Sequence, residues 1–199
     1  MLRPLYLAGT AYVLLCAVAI ARFRGVHEVR VVPVGRAAPA PAREYPGEGG
    51  AWFARIKPYC NAVEVEVRQQ YDPPPPSTDG AAYGAACFAL AGKVDRARET
   101  IQQLPLGDAR SYAAGVVFDV GHPVADAGDD ASAGPIMRLV VEYQPDNYMA
   151  LYHAGMSEYA LGQHDVARDH LRRFLAIYRE DDGWRANARE VLGRMGAGE

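Results

Sequence analysis

The sequence predicts an all-α protein, with a hydrophobic N-terminal helix followed by a solenoid of helical hairpins. Three observations carry this. Eighteen uncharged residues run from Pro4 to Ala21. From Thr78 onward, apolar residues recur at three- and four-residue intervals, the period of amphipathic helices. Within those helices the same residue types return in phase. Ala97, Ala133 and Ala167 lie 36 and 34 residues apart. Ile101, Met137 and Leu171 keep those intervals, as do Leu104, Val140 and Phe174. Recurrence at such a period marks stacked repeats, each burying its apolar face only against a neighbour.

The first element is Pro4–Ala21, within residues 1–24. As a helix it spans roughly 27 Å, about the thickness of a bilayer core. Arg3 precedes it, and Arg22 and Arg24 follow. A signal-anchor helix is expected. A cleaved signal peptide is the alternative, because Ala19-Ile20-Ala21 has a small-x-small form. The arginines on the C-terminal side favour a cytoplasmic domain by the positive-inside rule. The export-like position favours the opposite, and a domain facing the periplasm or another extracytoplasmic space is expected, with a cytoplasmic-facing domain or secretion after cleavage as the alternative. Residues 25–49 are rich in Pro, Ala and Gly and read as a spacer.

Residues 50–72 read as an N-terminal helical segment. Trp52, Ile56, Tyr59, Cys60, Val63 and Val67 form an apolar stripe. Pro58 marks a kink or the first turn of a second helix. The alternating VEVEV of 63–67 resembles a strand, but its flanks keep the helical period. Pro73–Pro76 ends the segment.

Residues 79–195 then hold three helix pairs and a capping helix. Ala81–Ala91 and Arg96–Leu104 are the first pair, Asp108–Val120 and Ala131–Tyr143 the second, Tyr148–Leu161 and Asp165–Tyr178 the third. Gly92 and Gly162 sit in the turns of the first and third pairs, 70 residues apart, two periods of 35. Gly121–Asp130 reads as a long loop within the second. Trp184 to Met195 is the cap, with Ala188, Val191 and Leu192 inward and Arg185, Arg189, Glu190 and Arg194 toward water.

These positions resemble the tetratricopeptide-repeat family. In Leu151–Arg179 the matches are Leu151, Gly155, Gly162, Ala167, Leu171 and Phe174. Glu158 departs from the pattern, standing where an aromatic is usual, with Tyr159 one residue beyond it. Arg179 stands where proline is usual. Pro145, Asp146 and Asn147 close the preceding repeat as expected, and Ala114 and Gly115 supply its small crossing residues. In the first repeat Ala85, Phe88, Gly92, Ala97, Ile101 and Leu104 match. The resemblance implies a right-handed hairpin solenoid that binds other proteins, with the first helix of each pair lining the binding surface.

Residue types that could carry chemistry are few. There is no phosphate loop, GxSxG, HExxH or paired CxxC. His153, His164 and His170 are close in sequence, but His164 and His170 are six residues apart, a poor spacing for one helix face. The run DAGDD at 126–130 lacks the alternating ligands and closing glutamate of a calcium loop. No metal, no cofactor and no enzymatic activity are expected. Cys60 and Cys87 fall on apolar faces and are expected as buried free thiols; a pair is open if the domain is exported and their helices touch. A formal charge of −3, with acids interspersed among the arginines, argues against nucleic acid.

The expected function is that of a membrane-tethered protein-interaction scaffold, an accessory or assembly subunit of a membrane or envelope complex. Its partner surface is expected to use Tyr83, Tyr112, Tyr152, His153, Met156 and Tyr159 on the first helices, with Trp52 and Phe53 as exposed aromatics on the spacer side. Phe118 belongs to the same surface. Tyr152, Met156 and His153 occupy the positions that match the family's clamp for a peptide carboxylate, and lysines are only two, Lys57 and Lys93, which argues against that clamp. Two alternatives stand beside this reading. One is a structural subunit whose hydrophobic helix packs into a membrane complex, through Ala8, Gly9, Ala11 and Ala17. The other is a secreted or periplasmic small-molecule-binding protein or enzyme, which would need a pocket of converging titratable groups.

Overall fold

Side chains that close the helix ends explain where the elements begin. In the structure, a computed structural model that describes residues 44–196, Ser77 Oγ accepts the Gly80 N–H at 3.1 Å and Asn147 Oδ1 that of Ala150 at 3.0 Å. Asp129 Oδ1 accepts from Ser132 N at 3.2 Å. Each satisfies a donor left without a partner in the first turn. The elements are α1 (Gly47–Ile56), a 3₁₀ turn (Lys57–Tyr59), α2 (Val65–Tyr71), α3 (Thr78–Leu90), α4 (Val94–Gln102), α5 (Asp108–Asp126), α6 (Asp130–Tyr143), α7 (Tyr148–Ala160), α8 (His164–Ile177) and α9 (Gly183–Gly196). The described residues contain no strand. None of their helices is long and apolar enough to cross a membrane, and Pro4–Ala21 lies outside the described residues.

The three expected pairs are α3/α4, α5/α6 and α7/α8. Each helix packs on its hairpin partner, and α5 and α7 also pack on the pair before. The in-phase residues Ala97, Ala133, Ala167, Ile101, Met137, Leu171, Val140 and Phe174 are all fully buried, while Leu104 is half-buried. Gly155 allows a close crossing within the third hairpin: a Cβ there would sit 2.7 Å from Leu171 Cγ.

The second hairpin corrects one expectation. Gly121–Asp130 is not a long loop. Helix α5 continues to Asp126, through Gly121 and Pro123. Gly121 reads as a breaker in sequence but acts as a close-approach residue, since a Cβ on it would lie 2.6 Å from Ile136 Cγ2 of α6. The real turn is centred on Gly128, at φ 76°, matching Gly92 at 73° and Gly162 at 76°. In all three turns the N–H after the glycine bonds a carbonyl five residues back: Lys93 to Phe88 (2.9 Å), Asp129 to Val124 (3.3 Å), Gln163 to Glu158 (2.8 Å). This is the Schellman closure of a helix C-terminus, which needs a left-handed residue. The three glycines therefore repeat with the same 36 and 34 intervals as the alanines.

The N-terminal segment departs further. Helix α1 starts at Gly47, inside the expected spacer. Trp52 and Phe53 are buried, not exposed. Gly49 and Gly50 let α1 lie close on Asp79 and Tyr45. Phe53 then packs edge-on to Tyr45 (4.8 Å) and against Tyr83 (5.4 Å), and Trp52 Nε1 donates to the Asp72 carbonyl at 3.0 Å. The stripe expected through Val63 and Val67 fails, because the chain turns at 61–64, leaving Val63 exposed in the turn, and α2 presents Val67 to solvent. Pro58 lies in the 3₁₀ turn. Cys60 and Cys87 are not free thiols: their sulfurs are bonded, tying the segment after α1 to the last turn of α3.

Candidate functional site

The face formed by the first helices, α3, α5 and α7, is where the resemblance places partner binding. Its two ends are filled by the chain itself. At the α3 end, α1 covers Tyr83. At the α7 end, α9 packs over Tyr152 and His153: the Trp184 ring meets Tyr152 at 4.9 Å and His153 at 5.8 Å, and Asn187 Nδ2 donates to Tyr152 Oη at 3.4 Å. Tyr83, Tyr152 and His153 are consequently buried. Met156 and Tyr159 are half-buried, Met156 against the core and Tyr159 stacked on His164 at 5.6 Å. Of the expected set, Tyr112 stays most open, 46% exposed. Its hydroxyl donates to Asp79 Oδ1 at 2.8 Å, and Asp79 Oδ2 accepts the Gly49 N–H at 2.6 Å, so one carboxylate joins α1, α3 and α5. Burial first and this hydrogen bond second push the Tyr112 hydroxyl up to about 12.

Between these ends the chain leaves an opening beside α5. A groove of about 540 Å³ lies between α5 and the α6–α7 turn, lined by Ser111 and Phe118 on one side and Tyr143, Gln144, Tyr148 and Met149 on the other. Gln144 Nε2 donates to the Ser111 carbonyl at 2.7 Å and holds the two sides together. The groove adjoins a continuous run of rings. Tyr148 stacks on Tyr178 (5.1 Å), Tyr178 on Phe174 (5.0 Å), and Phe174 meets Tyr152 (5.2 Å). Tyr152 meets His153 (5.3 Å), His153 meets His122 (4.8 Å), and His122 stacks on Phe118 (4.8 Å). Tyr148, Tyr178 and Trp184 were not among the residues expected at the surface. Tyr148 at the start of its helix reads as a boundary residue in sequence, and Tyr178 as the end of the last repeat.

A second group sits at the Phe118 end of this run. His122 Nε2 lies 3.0 Å from His153 Nε2, and Asp126 Oδ1 lies 3.5 Å from the first and 3.7 Å from the second. At this distance the two ring nitrogens share one hydrogen bond, one donating its N–H and the other accepting. Burial, and secondarily the charge of His122, lowers His153 to about 4, so its ring is neutral at pH 7. His122 and Asp126 escaped sequence reasoning because both fall in the stretch expected as loop. Once α5 runs through Pro123, they stand four residues apart on one helix face. The neighbouring acids are structural: Asp129 caps α6, and Asp130 Oδ1 accepts from Ser157 Oγ at 3.0 Å.

The other expected histidine, His170, faces the interior of the third hairpin. Its Nδ1 donates to Glu158 Oε2 at 2.7 Å, and Arg138 Nη1 approaches Glu158 Oε1 at 3.5 Å. Glu158 is fully buried, so the position where the repeat pattern has an aromatic is filled here by a hydrogen-bonded polar pair.

Residues 149–181, which comprise most of α7, all of α8 and the residues after it, match the family model of the tetratricopeptide repeat. Searches of curated proteins and of solved structures found no match.

Proposed function

We propose that this chain is a protein-interaction scaffold that seats a segment of its partner in the groove between Phe118 and Tyr148. The observation that carries the reading is the open aromatic groove between α5 and the start of α7, beside a hairpin that matches the tetratricopeptide repeat. Such repeats are binding scaffolds. Tyrosine and phenylalanine there offer large contact areas at low cost in side-chain entropy. The chain's own helices α1 and α9 occupy both ends of the face, which leaves the partner the groove beside α5. The hairpins are read as a right-handed solenoid.

The scaffold is proposed to be tethered to a membrane by Pro4–Ala21 with its repeats on the extracytoplasmic side, serving a membrane or envelope complex. Two features support this. The segment has the length and apolarity of a bilayer span. The Cys60–Cys87 bond is of the kind that persists in oxidising compartments and is rare in the cytosol.

The test is affinity capture of the full-length protein from its own membranes in mild detergent, comparing wild type with F118A/Y148A. Both rings lie at the groove surface, Tyr148 at 43% exposed, so the fold is expected to survive and its far-UV circular dichroism to match wild type. Partners retained by wild type should be lost from the variant. Equal capture by a folded variant would remove the groove from the interaction.

A further inference from the structure

We propose that His122, Asp126 and His153 form a binding site for a divalent transition-metal ion, Zn²⁺ foremost, that joins α5 to α7. The same three atoms recur in every pair of the cluster: Nε2 of each histidine and Oδ1 of the aspartate. Their separations are 3.0, 3.5 and 3.7 Å. A triangle of these edges has a point about 2 Å from each corner, the length of zinc–imidazole and zinc–carboxylate bonds. An ion at that point would replace the single hydrogen bond between the rings with three ligand bonds.

The donor set selects the class of ion. Two imidazole nitrogens and one carboxylate oxygen suit Zn²⁺ and its neighbours in the first transition row. Ca²⁺ and Mg²⁺ ask for six or more oxygens, which this cluster lacks. The rings are also held in place. Phe118 stacks on His122, while Tyr152 and Trp184 pack edge-on around His153. Asp126 is the exposed member, its side chain 52% accessible, so solvent and ions reach the cluster from its side. Three protein ligands leave room for water at a fourth position. The site would clamp the second hairpin to the third directly beside the partner groove, since Phe118 belongs to both.

The experiment uses full-length protein in mild detergent, carrying a tag without histidine and stripped with chelator. Zn²⁺ alone is titrated by calorimetry, and Co²⁺ alone is followed by its visible absorption. One Zn²⁺ per chain is expected, with a rise in Tm that grows with Zn²⁺ concentration, and a Co²⁺ absorption band that Zn²⁺ bleaches. His122→Ala and Asp126→Asn should each weaken binding by about tenfold or more. His164→Ala, outside the cluster, should bind as wild type does. Asp126→Asn keeps the test decisive if His122→Ala does not fold, because that side chain is half exposed. No saturable Zn²⁺ binding, or equal affinity in wild type and Asp126→Asn, would overturn the site.

Discussion

Single residues in this fold carry more than the repeat pattern assigns them, and Glu158 shows how. An aromatic at that position would be held by dispersion and area. Here a carboxylate with no exposure is held by His170 at 2.7 Å and, more loosely, by Arg138 at 3.5 Å. A buried polar pair of this kind adds little net stability over an apolar replacement, yet breaking it is costly, because the remaining partner stays buried and unpaired. Glu158→Ala should therefore destabilise by roughly 3 kcal/mol, and His170→Ala by a comparable amount. The double variant should fall well short of the sum. Urea unfolding of the four proteins gives the coupling. A double-mutant result additive to within about 0.5 kcal/mol would mean the pair is not coupled. The sequence marks Glu158 as a departure, but its partner could not be read there. His170 lies twelve residues away on the other helix of the hairpin, and only the crossing of α7 and α8 brings it near.

At the scale of elements, the hairpin repeat was legible because it rests on local spacing, and the exceptions arise where spacing was overruled by packing. The alanine series and the turn glycines Gly92 and Gly162 depend on period alone, and both hold. Helix α5 does not follow from local rules. Glycine costs about 1 kcal/mol in a helix interior and proline about 3, so Gly121 and Pro123 read as an end. The contact with Ile136 explains why the glycine is there. A matched pair of substitutions separates the two effects. A Cβ added to Gly193 of α9 would meet nothing within 4 Å, whereas one on Gly121 would meet Ile136 Cγ2 at 2.6 Å. Gly193→Ala should stabilise by roughly 0.5–1 kcal/mol through helix propensity. Gly121→Ala gains the same propensity but overpacks a full core at a cost of roughly 1–3 kcal/mol, so it should be net destabilising. Thermal unfolding of both variants decides it; a stabilised Gly121→Ala would show that α5 and α6 have slack. The consequence reaches function, since the extension of α5 is what sets His122 and Asp126 on one face opposite His153.

For the whole molecule, the question is how three hairpins close their two open ends. A stack of repeats exposes an apolar face at each terminus unless something covers it. Helix α9 was legible as the C-terminal cap from Ala188, Val191 and Leu192. The N-terminal cap was not, because Trp52 and Phe53 follow a spacer-like stretch and look like surface aromatics until α1 is laid on α3. That cap is short, and part of its hold is covalent: Cys60–Cys87 closes a loop across a sequence separation of 27. In the chain-entropy account a loop of this size contributes about 3.5 kcal/mol. Cysteine spacing alone could not reveal the pairing, since it depends on the same docking of the N-terminal segment on α3. The bond also bears on where the domain resides. Maleimide labelling of denatured protein, taken directly from cells into acid to stop thiol exchange, should modify at most Cys16 before reduction and two further cysteines after it. Labelling of Cys60 and Cys87 without reductant would place the domain in a reducing compartment and remove the support for extracytoplasmic repeats. In purified protein, reduction should lower stability by about 3.5 kcal/mol and make the Trp52 environment the first to report unfolding by fluorescence. Loss of the bond without such a change would mean that Trp52, Phe53 and Ile56 hold α1 by burial alone, with the disulfide adding nothing to the cap.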